Sequence, residues 1–327
     1  MKLLIIGGTR FVGRHLVNSA RAHGHDVTIF NRGKTNPGLF RRVKTIRGDR
    51  EHDLDQLTGN WDAVIDTCGY IPRIVRLSAE ALKDKVGRYI YISSVSVYSS
   101  FSKIGINESD PVGKLDDESV EEITGETYGP LKALCEKVVQ DVYGPRSLII
   151  RPGLVVGPHD PTDRFTYWPL RIAKGGDVLV PDNPSAMSQF IDARDLADFI
   201  VRLADNNVSG VFNAVNNPVT LNTIFETCRR ISQSTTSFKW APVEFLQKNN
   251  VQPWSDMPAW VPETGDDAGV AHVDISKALQ AGLNFTPLAQ TIQDIYDWET
   301  ERPDDYELKA GLKPEREKEL LELLREN

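Results

Sequence analysis

The sequence is poor in cysteine and lacks a long apolar run. Its 327 residues include three cysteines, Cys68, Cys135 and Cys228, which are too few and too far apart for a disulfide framework or a Cys-x-x-Cys zinc motif. No apolar segment approaches the roughly 18 residues that a membrane-spanning helix needs. The basic and apolar start, residues 1–6, ends at a glycine and is too short for a signal peptide. We therefore expect free thiols, a cytoplasmic location and no membrane partner.

Positive charge is also scarce. Lys and Arg number 38 against 46 Asp and Glu, which gives a net charge of −8. Because phosphate backbones attract an excess of Lys and Arg, this balance argues against a dedicated nucleic-acid partner, although it leaves room for a local basic patch. The contents of 40% hydrophobic and 26% charged residues are ordinary for a globular protein. The length suits about two domains.

Short apolar runs alternate with segments of helical periodicity in the first half of the chain. The pattern predicts strands at 3–6, 27–30, 43–46, 63–66, 88–92 and 147–151, with helices at 11–23, 74–82 and 128–142. This alternation is typical of an α/β protein with a doubly wound parallel Rossmann sheet.

The pattern changes after Pro152, where Gly, Pro and aromatic residues become frequent. We predict a dinucleotide-binding Rossmann domain over residues 1–155 and a smaller, mainly substrate-binding C-terminal lobe over 156–327. Residues 188–215, with short strands around a helix, are expected to return to the Rossmann core. Residues 314–327 predict a short amphipathic helix that packs on its own fold.

A glycine-rich loop separates the first predicted strand from the first helix. Glycines permit a tight turn and close approach of a pyrophosphate, and the helix N-terminus supplies free N–H donors. The alternative is tight packing without a ligand. We expect a dinucleotide to be bound by Gly7, Thr9, Arg10, Phe11, Val12 and Gly13.

The loop resembles the Gly-x-x-Gly-x-x-Gly loop of extended short-chain dehydrogenases/reductases, the nicotinamide-dependent epimerase/dehydratase family. Gly7 and Gly13 match the first and last glycines of that loop, whereas Arg10 replaces the middle one. The resemblance covers about residues 3–300. It implies a Rossmann fold, a nicotinamide cofactor and enzymatic activity. The Gly-Gly-Thr-Arg-Phe segment is also similar to chloroplast stem-loop-binding proteins, in which a related fold contacts RNA.

The end of the second predicted strand bears on cofactor choice. An acidic residue there would bind the ribose hydroxyls of NAD, whereas this chain has Asn31 followed by Arg32. A guanidinium group matches a phosphate, so NADP is preferred and NAD remains possible. The alternative is that Arg32 is a solvated loop cation. Further cofactor contacts are expected, partly from the resemblance, at Asp49, Arg50, Thr67, Cys68 and Gly69.

Tyr128 and Lys132 form a Tyr-x-x-x-Lys pair on a predicted helix, where positions i and i+4 share a face. An ammonium group near the cofactor ribose lowers a tyrosine pKa, so that Tyr128 can give or take a proton. The resemblance adds Ser94, four residues before Tyr98, as the group that hydrogen-bonds the reacting oxygen. It therefore implies a Ser-Tyr-Lys triad that also contacts the cofactor through Tyr128 and Lys132.

Two departures from the family narrow the expected chemistry. Val95 and Ser96 stand where dehydratases carry an Asp-Glu pair, which disfavours dehydration. Leu154 stands where sugar-nucleotide members carry an asparagine, which disfavours a diphosphate substrate. We expect an oxidoreductase or epimerase that acts on a carbonyl or hydroxyl of a small molecule. The alternatives are an RNA-binding member with little or no turnover, an NADP-sensing protein and a nucleotide-sugar epimerase.

The loop over residues 157–168 is expected to lie above the nicotinamide. Its acidic residues lack the paired spacing of metal ligands, so no metal site is predicted. A homodimer is possible from the resemblance. The side chains expected to contact the substrate are Tyr70, Ser96, His159, Arg164 and Trp168.

Overall fold

A seven-stranded parallel sheet forms the centre of the protein in the computed structural model, which describes residues 1–326. In chain order the strands are β1 (Lys2–Ile6), β2 (Asp26–Asn31), β3 (Lys44–Arg47), β4 (Trp61–Asp66), β5 (Val86–Ile92), β6 (Ser147–Pro152), β7 (Leu154–Val156), β8 (Asp177–Pro181), β9 (Met187–Ser188), β10 (Phe190–Asp192), β11 (Gly210–Ala214), β12 (Val219–Thr220) and β13 (Ser237–Ala241). The helices are α1 (Phe11–Ala22), α2 (Pro72–Leu82), α3 (Tyr128–Tyr143), α4 (Tyr167–Ala173), α5 (Ala193–Asp205), α6 (Leu221–Ser232), α7 (Val243–Lys248), α8 (Ser276–Gln280), α9 (Leu288–Glu299) and α10 (Pro314–Glu326).

The order of the central sheet is β11-β6-β5-β4-β1-β2-β3, and the chain reverses its direction of travel across the sheet between β1 and β4. Strand β1 is apolar and buried on both faces, as a central parallel strand must be. Helices α1 and α5 cover one face, and α2 and α3 cover the other. The predicted α/β class and doubly wound Rossmann sheet are confirmed. Ligands of such sheets bind where the strand order reverses, beyond the carboxyl ends of the strands.

Most predicted strands differ by one or two residues in their bounds from the structure. The third strand begins one residue later than predicted, at Lys44. Residues 190–191 do not join the central sheet, because β10 pairs with β7 in a separate two-stranded sheet. The chain returns to the Rossmann core through α5, which packs beside α1, and through β11, which pairs with β6.

The remaining C-terminal elements build a second apolar core. Helices α4, α6, α9 and α10 pack around the parallel pair of β8 and β13. Leu320 and Leu321 of α10 are buried in this core, so the predicted amphipathic helix packs on its own fold. Residue 327 of that predicted helix lies outside the described residues. Within residues 1–326, no helix is both long enough and apolar enough to cross a membrane.

Candidate active site

The glycine loop is closed tightly against β1 and β4. Gly7 and Gly8 have φ angles of 104° and 86°, a region that favours glycine. A Cβ atom on Gly7 would lie 2.3 Å from the Thr67 hydroxyl, and one on Gly13 would lie 2.7 Å from the Gly8 nitrogen. Helix α1 has no acidic side chain in its first turn and no side-chain cap from Arg10. Its first N–H groups therefore face the loop, and this bare backbone cradle fits a dinucleotide pyrophosphate.

Asn31 ties the end of β2 to this loop. Its amide nitrogen donates to the Gly7 carbonyl at 2.9 Å, and its amide oxygen accepts from the Gly33 nitrogen at 2.8 Å. Arg10 and Arg32 are exposed, and neither forms a salt bridge with any described residue. Two unpaired cations thus flank the rim of the cradle.

Arg50 pairs with a buried carboxylate, and its contact with a cofactor stays a prediction. Its guanidinium donates to both carboxylate oxygens of Asp66, at 2.7 and 3.0 Å, and to the Ser78 hydroxyl. Asp66 is fully buried at the end of β4, so Arg50 serves as its counter-charge. A buried carboxylate needs such a partner, and sequence spacing alone does not reveal it.

The other predicted cofactor residues lie at the carboxyl edge of the sheet. Thr67 donates its hydroxyl to the Ile6 carbonyl at 2.8 Å, which joins β4 to β1. Burial raises the pKa of the half-buried Cys68 thiol, so it stays protonated. Asp49 is half-buried after β3 and accepts a hydrogen bond from the Glu51 nitrogen. Their contacts with a cofactor stay predictions.

Tyr128 begins α3, and a neighbouring glycine places it next to Ser94. A Cβ atom on Gly129 would lie 2.0 Å from the Ser96 carbonyl oxygen, so only glycine lets α3 pack onto the turn at Val95–Val97. Ser94 caps that turn by accepting from the Ser96 nitrogen at 3.1 Å. The sequence analysis missed Gly129, although it directly follows the tyrosine of the Tyr-x-x-x-Lys pair.

Lys132 is held by two backbone carbonyls, and its effect on the pKa of Tyr128 stays a prediction. Its ammonium is buried and donates to the carbonyl oxygens of Gly69 and Ile92, at 2.8 and 2.6 Å, and burial lowers its pKa to about 8. Burial raises the pKa of Tyr128, and the groups that oppose this rise are the Ser94 hydroxyl and Arg164. The phenol is therefore protonated at neutral pH in this structure.

Ser94 and Tyr128 face a cavity of about 360 Å³ between the sheet and the C-terminal lobe, which we call the inner cavity. Ser96 and Arg164, both predicted substrate contacts, also line it, as does Leu154. The sequence analysis missed residues that the C-terminal lobe contributes. They include Gln189, Trp254, Val261, Asp267 and Val273.

Two predicted substrate contacts, Trp168 and His159, do not line the inner cavity. Trp168 is only 1% exposed in the core of the C-terminal lobe, where its indole N–H donates to the Pro258 carbonyl at 2.6 Å. His159 lies beside α1, with its ring 6.1 Å from that of His15 and 5.3 Å from that of Trp298. It does not line the inner cavity, and burial lowers its pKa to about 4.

Tyr70 lies near the candidate catalytic tyrosine but outside the inner cavity. Its ring centre is 6.4 Å from that of Tyr128, and the Lys132 ammonium lies 5.2 Å from the Tyr70 ring. The side chain is 43% exposed. Its contact with a substrate stays a prediction.

Comparison with known proteins defines the class. The model of the NAD dependent epimerase/dehydratase family matches residues 3–75 and 58–216, so the chain belongs to this family. The chloroplast stem-loop binding protein of 41 kDa b from Arabidopsis thaliana is 28% identical over 239 residues, which cover 65% of this chain and 58% of that protein. The match thus spans less than two thirds of that relative. A UDP-glucose 4-epimerase from Neisseria meningitidis is 26% identical over 263 residues, 64% of this chain and 75% of the relative.

Solved structures share the fold over nearly the whole chain. UDP-glucuronic acid 4-epimerase from Bacillus cereus, in complex with NAD, has a TM-score of 0.69 at 19% identity and covers 95% of this chain and 100% of its own. UDP-glucose 4-epimerase from Bifidobacterium longum, in complex with NAD⁺ and UDP, has a TM-score of 0.67 at 18% identity, with coverages of 94% and 100%. At these identities the likeness shows the fold alone.

Proposed function

We propose that the protein is an NADP-preferring oxidoreductase or epimerase that acts on a carbonyl or hydroxyl group of a small molecule. The observation that carries this proposal is the juxtaposition of Ser94 and Tyr128 on the wall of the inner cavity, at the carboxyl edge of the sheet. Family membership and the bare glycine cradle support a nicotinamide dinucleotide at the same edge.

The residues divide the chemistry between them. A bound nicotinamide supplies a hydride donor or acceptor. The protonated phenol of Tyr128 donates to a carbonyl oxygen during reduction and takes the proton back during oxidation. The Ser94 hydroxyl hydrogen-bonds the same oxygen and favours the charge that develops on it. Lys132 donates to one backbone carbonyl after β4 and one at the end of β5. It thereby fixes the backbone that supports the reacting groups.

Cofactor preference is proposed from the rim of the cradle. Asn31 is neutral and is already bonded to the glycine loop, so it does not repel a 2′-phosphate. Arg32 is exposed and forms no salt bridge with any described residue. Its guanidinium is therefore available to bind that phosphate. The solved relatives carry NAD, so the preference rests on these two residues of this chain.

A turnover screen tests the proposed function. The protein is incubated with NADPH or NADH and a panel of small aldehydes, ketones and 2-oxo acids, and with NADP⁺ or NAD⁺ and the matching alcohols. Cofactor absorbance reports net oxidation or reduction, and inversion of configuration at the carbinol carbon, followed by NMR, reports epimerisation. We expect turnover that Ser94→Ala reduces about 100- to 1,000-fold, since one oxyanion donor is lost. Activity unaffected by this substitution would contradict the assignment.

A nucleotide-sugar substrate is less well supported. Two kinds of similar protein are UDP-sugar epimerases. However, Leu154 lines the inner cavity in this chain and offers no hydrogen bond to a diphosphate. Small molecules therefore come first in the panel, with UDP-glucose as the comparison.

A second candidate function, RNA binding, is favoured by one surface. Residues 27–48 contain six Lys and Arg and no Asp or Glu, and all six are exposed around the edge strand β3. None of them forms a salt bridge within residues 1–326. One relative is named as a stem-loop binding protein, which supports RNA as the partner of this surface. The surface consists of Arg32, Lys34, Arg41, Arg42, Lys44 and Arg47, and we call it the basic edge.

Filter binding with a structured RNA at two salt concentrations separates the two functions. If RNA is the partner, affinity falls steeply with salt, and a double substitution of Arg41→Glu and Arg42→Glu abolishes it. If the protein is an enzyme alone, binding is weak at both salt concentrations and the double variant keeps full turnover.

A further inference from the structure

Arg164 is the one cationic side chain among the described residues that line the inner cavity. Much of the remaining wall is apolar and comes from small side chains, as Val215, Val261, Ala271 and Val273 illustrate. Asp267 is the acidic member of the lining, and it forms no salt bridge with Arg164. A single guanidinium in such surroundings attracts a complementary anion.

The guanidinium is oriented through one of its three nitrogens. Its Nε donates to the Thr162 hydroxyl at 3.2 Å, and that hydroxyl donates to the Asp160 carboxylate at 2.7 Å. The guanidinium also stacks over the Trp254 ring, 5.2 Å from its centre. Neither contact uses the two Nη atoms, and in the part of the chain that the structure describes no acceptor is assigned to them. The two Nη atoms are thus held in place and available to bind a ligand.

Among residues 1–326, no carboxylate forms a salt bridge with Arg164. Burial lowers its pKa, although attraction to Asp160 and Tyr128 opposes that change. Asp160 forms no salt bridge with it, and the second carboxylate oxygen of Asp160 is buried without a hydrogen-bond partner. Arg164 and Tyr128 both line the inner cavity, and the guanidinium in turn lowers the pKa of the candidate acid/base group.

We propose that the substrate carries an anionic oxygen group, a carboxylate or a phosphate, bound by the two Nη atoms of Arg164 beside the carbon that reacts at Tyr128. This inference rests on the proposed function. The cavity of about 360 Å³ and its Val- and Ala-rich wall fit a small, branched aliphatic remainder. Arg164 suits this task because a guanidinium matches two oxygens of one group, which a lysine cannot do. Thr162 and Asp160 act as positioning residues.

Trp254 provides a reporter that is independent of turnover. The full-length protein, without cofactor, is titrated with isobutyrate, isobutyl phosphate and the neutral isobutyramide while tryptophan fluorescence is recorded. We expect a saturable change with at least one anion and binding at least about tenfold weaker for the amide, because the charge-assisted bonds are absent. The tighter of the two anions identifies the group. Trp254→Phe removes the signal and so assigns it.

Substitution of the arginine completes the test. Arg164→Gln, checked for folding by thermal melting, should weaken anion binding at least about tenfold, and Arg164→Lys should recover only part of it. The matched control Arg76→Gln, on the exposed face of α2, should bind like the wild type. Equal binding of acid and amide, undiminished binding by Arg164→Gln, or no saturable anion binding by the wild type would overturn the proposal.

The outcomes separate this inference from the proposed function. Arg164-dependent anion binding by a protein that shows no turnover with any cofactor would refute the proposed activity and leave the anion site standing. Turnover of a neutral substrate at an unchanged KM in Arg164→Gln would refute the anion site and leave the activity standing.

Discussion

The glycine cradle is held by close packing around its glycines, whereas the wall of the inner cavity is assembled from side chains of distant segments. In the cradle, Gly7 and Gly13 touch Thr67 and Gly8 so closely that no side chain fits. In the cavity, Arg164 comes from the loop before α4, and Trp254 comes from a loop some ninety residues further along the chain. The cradle is therefore expected to tolerate few substitutions, while the cavity wall can change its chemistry by side-chain replacement.

Gly129 lies at the junction of α3 with the turn that follows Ser94, and its substitution should have a large effect. Gly129→Ala places a Cβ atom 2.0 Å from the Ser96 carbonyl, so the start of α3 must shift and carry Tyr128 with it. Misplacement of a reacting group by about 1 Å costs about 100-fold in kcat. We expect that loss with nearly unchanged cofactor affinity.

Gly125→Ala is the matched control for the junction, since no atom lies within 4 Å of its added Cβ. It should keep wild-type kcat. Wild-type turnover in Gly129→Ala, or an equal loss in both variants, would show that the packing of α3 on Ser96 does not position the tyrosine.

Gly13→Ala should disturb the glycine cradle and leave the inner cavity unchanged. Its Cβ atom would lie 2.7 Å from the Gly8 nitrogen, which forces the glycine loop away from α1. We expect nicotinamide affinity, measured by NADPH fluorescence, to fall about tenfold, or roughly 1.4 kcal/mol. Anion binding in the inner cavity should not change. Gly38→Ala, where nothing lies within 4 Å, is the control, and equal weakening by both would contradict the packing argument.

Arg32→Ala tests a single contact at the rim of the cradle. It should weaken NADPH binding about tenfold, as expected for loss of hydrogen bonds to a charged group, and leave NADH binding unchanged. The neighbouring Lys34→Ala should have a smaller effect on NADPH. An equal loss of affinity for NADH and NADPH would mean that Arg32 does not bind the 2′-phosphate.

The smallest predicted effect is a pH-dependent change in the free energy of unfolding, at the opposite edge of the sheet. His23, after α1, hydrogen-bonds Asp198 and Asp205 of α5, and these bonds raise its pKa above 6.5. A raised pKa means that this stabilisation is fully present below pH 6.5 and is lost as pH rises through the folded-state pKa. Urea unfolding should therefore show His23→Asn destabilised at pH 5.5, by less than about 1 kcal/mol, and less so at pH 8.5. A larger deficit at pH 8.5 would contradict this sign.

The same contrast explains what the sequence could predict. Gly7, Gly13 and the Tyr128–Lys132 pair follow short spacings that local geometry enforces, and the structure places all of them at the carboxyl edge of the sheet. The surroundings of Arg50 and Trp168 could not be predicted because they depend on long-range contacts: Asp66 pairs with the guanidinium, and the C-terminal core buries the indole. Such long-range partners cannot be derived from a residue's neighbours in sequence.

Substitution of Tyr128 by phenylalanine tests the central claim most directly. The measurement is the rate of cofactor oxidation at saturating substrate, run in parallel with NADPH binding, for the wild type, Tyr128→Phe and the nearby Tyr70→Phe. Loss of the phenol removes the proton donor, so we predict a fall in kcat of about 10²- to 10⁴-fold with unchanged NADPH affinity, while Tyr70→Phe keeps most of its turnover. Wild-type turnover in Tyr128→Phe would contradict the account.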